Sequence, residues 1–180
     1  PYYWAIAPDM DATFTPRIMS RQGVLLKGEF RQRLQDGAYN VTAYGIDQLD
    51  PNAFAGQPGN RQFRGGIDTN GQFAINDKWV WGWNGVLLTD FTFFSDYRLS
   101  QFRDPYASFL SLPTEALSQL YLTGVGNRSF FDVRSIYYYG FSGNQDQVPV
   151  IHPVIDYNNV INSNIFGGEL SYQTNFTSLT

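Results

Sequence analysis

The side chains with the greatest chemical potential are few and scattered. His152 is the chain's single histidine, so any His-dependent nucleophilic triad would have to be built around it. It stands between Ile151 and Pro153 with no Ser or Cys nucleophile motif nearby, and it reads as a polar-face strand residue. Lys27, Glu29, Arg31 and Arg33 recur at every second position, as do Asp132 and Arg134. Such charges suit a binding or catalytic cluster, or ion-pair ladders between neighbouring strands on a wet face. Trp79, Trp81 and Trp83 have the same spacing. They could stack sugars, or form part of the aromatic girdle where a membrane meets water. Gly65-Gly66 and Gly167-Gly168 are not phosphate cradles, because no helix follows them; bends or bulges are the better reading. With no cysteine there is neither a disulfide nor a thiolate metal site, and no other metal-ligand spacing stands out. No cofactor is expected.

The elements that must position these residues are strands. From Gln62 to Ile75 the residues Phe63, Gly65, Ile67, Thr69, Gly71, Phe73 and Ile75 alternate with Gln62, Arg64, Gly66, Asp68, Asn70 and Gln72. Successive side chains of a strand point to opposite sides, so this run has one greasy face and one wet face. The pattern predicts nine strands: Asp9–Met19, Gly23–Leu34, Ala38–Leu49, Gln62–Ile75, Lys78–Asp90, Glu115–Gly126, Ser129–Phe141, Val148–Val160 and Ile161–Thr180. Pro1–Ala7 reads as an aromatic entry to the first. In that first strand Ala12, Phe14 and Ile18 oppose Asp11, Thr13, Thr15 and Arg17; in the next, Val24, Leu26 and Phe30 oppose Lys27, Glu29, Arg31 and Arg33. These runs approach the roughly 9–11 residues a tilted strand needs to cross a bilayer.

Short connections are expected at Asp36, Asn76, Asn127 and near Asn159, and longer ones at 50–61, 91–113 and 142–147. One end of the sheet then carries tight turns and the other loops, as in outer-membrane barrels, with Ser20–Gln22 as the exception. The fold class expected is all-β: an antiparallel transmembrane β-barrel segment of about eight to nine strands, not closed by itself. Charged residues make up 16% and aromatics 17%, and the net charge of −4 speaks against a nucleic-acid partner. No run approaches the 18 apolar residues of a spanning helix.

Pro1-Tyr2-Tyr3-Trp4-Ala5-Ile6-Ala7-Pro8-Asp9-Met10-Asp11-Ala12-Thr13, followed by Thr15-Pro16, strongly resembles the start of the barrel in the LptD family of lipopolysaccharide-assembly outer-membrane proteins. Gly23, Glu29-Phe30-Arg31 and Val150-Ile151-His152-Pro153 agree as well. The resemblance implies that residues 1–180 are the N-terminal part of a larger barrel domain, with a periplasmic jellyroll before it and closing strands after it. It implies a transporter and not an enzyme, in the outer membrane of a Gram-negative bacterium. Such a protein would receive lipopolysaccharide from a periplasmic bridge protein, work with a lipoprotein that plugs the barrel, and release its cargo among outer-membrane lipids. A lateral gate is implied at the first strand, loosened by Pro1, Pro8 and Pro16, each of which lacks a ladder donor. On this reading Asp11, Thr13, Thr15, Arg17, Lys27, Glu29, Arg31, Arg33, Asp132 and Arg134 face the lumen and the substrate path. Ala12, Phe14, Ile18, Val24, Leu26 and Phe30 face lipid. Two other readings fit the residues alone: a soluble secreted β-domain binding glycans through its aromatics, and a generic porin or receptor barrel.

Overall fold

The computed structural model describes residues 1–99, 115–140, 150–161 and 167–179. Ten strands lie side by side in chain order, each antiparallel to the next. They are β1 (Tyr2–Ala7), β2 (Met10–Met19), β3 (Gly23–Leu34), β4 (Gly37–Asp47), β5 (Phe63–Asn76), β6 (Trp79–Leu88), β7 (Glu115–Val125), β8 (Ser129–Gly140), β9 (Val150–Val160) and β10 (Ser171–Leu179). The sheet is open, with β1 and β10 at its edges. Helix among the described residues is limited to a 3-10 turn at Pro51–Phe54 and one turn of α-helix, α1 (Phe93–Asp96). Neither is long and apolar enough to cross a membrane, which says nothing of strands.

Two expectations need correction. Tyr2–Ala7 is a strand and not merely an entry: Tyr2 pairs with Phe14 and Trp4 with Ala12, so the strand expected from Asp9 is the second. Pro8 and Asp9 make the turn between them. Alternation could not reveal β1, because Tyr2, Tyr3 and Trp4 put aromatics on both faces. At the other edge, the ladder places Asn159 inside β9, opposite Tyr172, and the connection runs over 161–170. Gly167, at φ +80°, bends this segment in a conformation that residues with a side chain rarely adopt.

Among the described residues the turn end carries 8–9, 35–36, 77–78 and 126–128, and the loop end carries 20–22 and 48–62. The connections expected over 91–113 and 142–147 lie largely outside the described residues. Ser20–Gln22 is short, and the neighbouring loop is bonded to it. The Gln22 side chain donates to the Asp50 carbonyl at 3.0 Å and the Leu49 N–H to the Gln22 carbonyl at 3.2 Å. Pro153 also leaves its mark. The ladders on both sides of β9 shift register between Ile151 and Val154, bracketing the residue that cannot donate to them.

Register assigns each strand two faces. Asp11, Thr13, Thr15 and Arg17 lie opposite Arg31, Glu29, Lys27 and Leu25 on one face; Ala12, Phe14, Pro16 and Ile18 lie opposite Phe30, Gly28, Leu26 and Val24 on the other. Among the described residues nothing is layered over the apolar face: Ile18 is 83% exposed, Leu87 71% and Leu26 59%. The hydrophobic core formed by the described residues lies instead on the polar face, at the loop end. There Leu25, Tyr44, Ile46 and Val86 pack under Phe93, Phe94 and Tyr97 of the 89–99 segment.

Candidate functional site

The polar face of β2 to β5 is a wall of cross-strand charges and amides. Arg31 reaches across to Asp11 with Nε at 2.9 Å and Nη2 at 2.8 Å, both on one carboxylate oxygen. Lys27 and Glu29, two positions apart on β3, are 4.0 Å from each other, and Asn40 of β4 donates to Glu29 at 3.3 Å. Thr13 and Thr15 lie beside Glu29 and Lys27 in the register, while Arg33 is exposed toward the turn end. Lys27, Glu29, Asn40, Thr42, Tyr44, Asp68 and Asn70 line a recess of about 190 Å³ on this wall. Its hydroxyl, carboxamide, carboxylate and ammonium groups offer both donors and acceptors to a polyol or a phosphate. Asp132 and Arg134 lie further along the same face. Arg134 grips Asp132 with Nε at 2.6 Å and Nη2 at 2.9 Å, and Thr123 donates to the same carboxylate at 2.6 Å. Asp132 is 3% exposed and engaged by Arg134 of its own strand and by Thr123, its register partner across the ladder, which is not the geometry of a poised catalytic acid.

The most heavily engaged residue on this face is one that the sequence reading left without a role. Arg64 of β5 is wholly buried. Its fork holds Asp90 through Nε at 2.9 Å and Nη2 at 2.6 Å, and Nη2 also meets Asp96 at 2.8 Å and the Thr92 hydroxyl at 3.0 Å. Three rings surround the guanidinium, with Phe54 at 4.9 Å, Tyr97 at 5.2 Å and Phe93 at 5.6 Å from centroid to Cζ. Gly59 completes the cage: a Cβ there would lie 2.6 Å from Nη1. Burial works to raise the Asp90 pKa, but the bonds from Arg64, Thr92 and Thr89 more than offset it and hold the carboxyl below its ordinary range. Burial pushes the Tyr97 hydroxyl up; it donates to the Gln48 side chain at 2.5 Å. Arg17 of β2 donates to the Tyr97 carbonyl at 2.7 Å. The available clue was the aromatic density of 91–97, unusual for a connection that normally stays polar and on the surface.

The apolar face carries Phe14, Ile18, Val24 and Leu26 exposed and Phe30 half-buried. Ala12 shares that face but is buried, flanked in the register by Trp4 and Phe30. Near the turn end the aromatics make two runs. Phe30, Tyr39, Trp83, Phe73 and Trp81 follow one another at centroid distances of 5.4–6.5 Å, and Trp79, Phe131, Tyr157 and Tyr172 do so at 5.6–6.5 Å. The three tryptophans thus belong to a belt built by aromatics of seven strands, and not to a compact sugar platform. Gly28, Ala43 and Gly45 floor a shallow apolar groove of about 570 Å³ beside Pro16, walled by Tyr2, Phe14 and Leu26. Pro1 precedes β1, Pro8 sits in the β1–β2 turn, and Pro16 lies within β2 opposite Leu26. The His152 side chain lies outside the described residues, although its backbone is part of β9. Among the described residues no three His, Asp or Glu side chains gather as metal ligands.

Known proteins match this chain over much of its length. A family model described as LptD, LPS transport system D, matches residues 62–180. The LPS-assembly protein LptD of Yersinia pseudotuberculosis serotype I (strain IP32953) is 32% identical over 136 residues, 72% of this chain and 16% of that protein. Its counterpart in Shewanella sp. (strain ANA-3) is 41% identical over 83 residues, 42% of this chain and 10% of that protein. The counterpart in Pseudoalteromonas translucida (strain TAC 125) is 49% identical over 53 residues, 28% of this chain and 7% of that protein. The chain therefore spans a small part of the length of each relative. With the opening motif, the two-faced ten-stranded sheet and a family match over 62–180, the chain belongs to the LptD family.

Proposed function

We propose that this chain forms part of the wall of an outer-membrane barrel that transports lipopolysaccharide and inserts it into the outer leaflet. The observation that carries the reading is the division of one sheet into a polar, ion-paired face and an exposed apolar face girdled by aromatics. An apolar face of this extent exceeds the patches of a few hundred Å² that soluble monomers expose, and lipid is the solvent it suits. The polar face then lines the lumen. Asp11, Thr13, Thr15, Arg17, Lys27, Glu29, Arg31, Arg33, Asp132 and Arg134 offer the sugars and phosphates of the cargo a path of donors and acceptors. Arg suits phosphate through its planar fork. Ala12, Phe14, Ile18, Val24, Leu26 and Phe30 face lipid.

The lateral gate belongs at the β1–β2 side. There Pro8 and Pro16 remove donors, and the β1 ladder shifts register between Ala5 and Ala7. The groove beside Pro16 suits an acyl chain leaving sideways. A periplasmic bridge protein supplies the cargo, a plug lipoprotein occupies the barrel, and no bond is made or broken in the cargo. The belt drawn from seven strands weighs against a glycan-binding soluble domain.

Site-specific photocrosslinking in cells tests the reading, with the probe placed in the full-length protein at Arg31 and separately at Phe30. Transient capture of newly made lipopolysaccharide at Arg31, lost when its supply is cut, is the expected result. Capture only at Phe30 would describe a barrel bathed in outer-leaflet lipid and would remove the transport reading.

A further inference from the structure

We propose that Arg64 is a positioning residue that latches the outer connection, residues 90–97, against the inside of the wall, and that through Arg17 this latch ties β2 to β5. The inference rests on the reading of the polar face as lumen. Four observations carry it. Arg64 is wholly buried in the middle of the connection's contacts, with two carboxylates and a hydroxyl on its fork. Phe93, Phe94 and Tyr97 are buried beside it on side chains from β3, β4 and β6, so the segment lies across the wall and not away from it. Its far end is bonded from two further places, by Arg17 of β2 to the Tyr97 carbonyl and by the Tyr97 hydroxyl to Gln48. Gly59 leaves no room for a side chain that would displace the guanidinium.

The two kinds of contact do different work. The aromatic side chains favour any arrangement that keeps them out of water, since apolar burial has no direction. The fork does have direction: bidentate pairing with Asp90 and a shared nitrogen for Asp96 admit one placement of α1. The pin therefore sets where the apolar plug sits. It also fixes β2 at the loop end, because moving Arg17 outward breaks its bond to Tyr97 or drags the segment off Arg64. While latched, the segment fills the loop end of the lumen next to β2–β6 and narrows the outward exit.

The test uses the full-length protein in its native outer membrane and, after purification as the assembled complex, in planar bilayers. Asp90→Asn with Asp96→Asn keeps the shape of both side chains and removes their charge; Arg64→Lys keeps the charge and removes the fork. A spin label at Ser95→Cys, an exposed position on α1, reports the segment directly. The expected result is folded barrel at normal level in both variants, a mobile label, and large channel openings roughly tenfold more frequent, the scale of a population shift when one charged contact is lost. An immobile label with unchanged openings in well-folded barrels would overturn the latch. Loss of folded barrel in both variants would also overturn it, by making Arg64 a folding residue. Neither readout depends on whether Arg31 captures lipopolysaccharide, so the latch and the transport reading fail separately.

Discussion

Arg64 illustrates how a charge becomes tolerable in an apolar setting. Its Nε and Nη2 hold two carboxylates and a hydroxyl, while Nη1 is buried against Gly59 with no hydrogen-bond partner among the described residues. Breaking a buried ion pair by removing one partner costs up to about 3–5 kcal/mol. Asp90→Asn is therefore expected to loosen the 90–97 segment strongly at neutral pH, as read from a spin label at Ser95. The sign of the pH dependence follows from Asp90 itself. Its pKa is held down in the folded chain, so its stabilisation is complete above the ordinary carboxylate range and is lost as pH falls below about 4. Native and Asp90→Asn proteins should differ most in label mobility near pH 7 and converge in acid; a gap that persists in acid would assign the loosening to something other than charge. Gly59→Ala tests the cage by volume instead. Crowding Nη1 should cost about 1–3 kcal/mol of local stability, seen as faster proteolysis within 48–62.

At the scale of elements, alternation carries most of the information. A strand of period two commits each residue to one face, and the ladders between β2 and β8 keep the faces that the sequence reading assigned. Phe14→Arg, placing a charge on the apolar face of β2, is expected to cost about 2–4 kcal/mol if that position lies near the bilayer midplane. The level of heat-modifiable barrel in the outer membrane measures it, and a normal level would reverse the assignment of faces. The reading failed where alternation is not the deciding force. β1 has aromatics on both sides, and 161–170 alternates but bends at Gly167. Asp36-Gly37 and Asn76-Asp77 were legible as turns because their side chains accept or support turn conformations locally.

For the molecule as a whole, the open sheet has two consequences. Its edges β1 and β10 present unpaired backbone groups, and none of the described residues covers its apolar face. Residues 1–180 alone are expected to associate in detergent-free buffer and to disperse on addition of micelles, as followed by sedimentation. A monodisperse monomer in plain buffer would contradict a lipid-facing surface. The amino-acid sequence by itself determined the all-β class, the partition of faces, the tight turns at Asp36 and Asn76 and the family, because each is written in local spacing or in a contiguous motif. Only the tertiary structure decided that Tyr2–Ala7 pairs as a strand, that a short turn is bonded to its neighbouring loop, and that the 90–97 segment folds onto the polar face. The physical reason is separation along the chain. Arg64 meets Asp90 and Asp96 across 26 and 32 residues, and Arg17 meets Tyr97 across 80. No periodic pattern relates such positions until the sheet has brought their strands together.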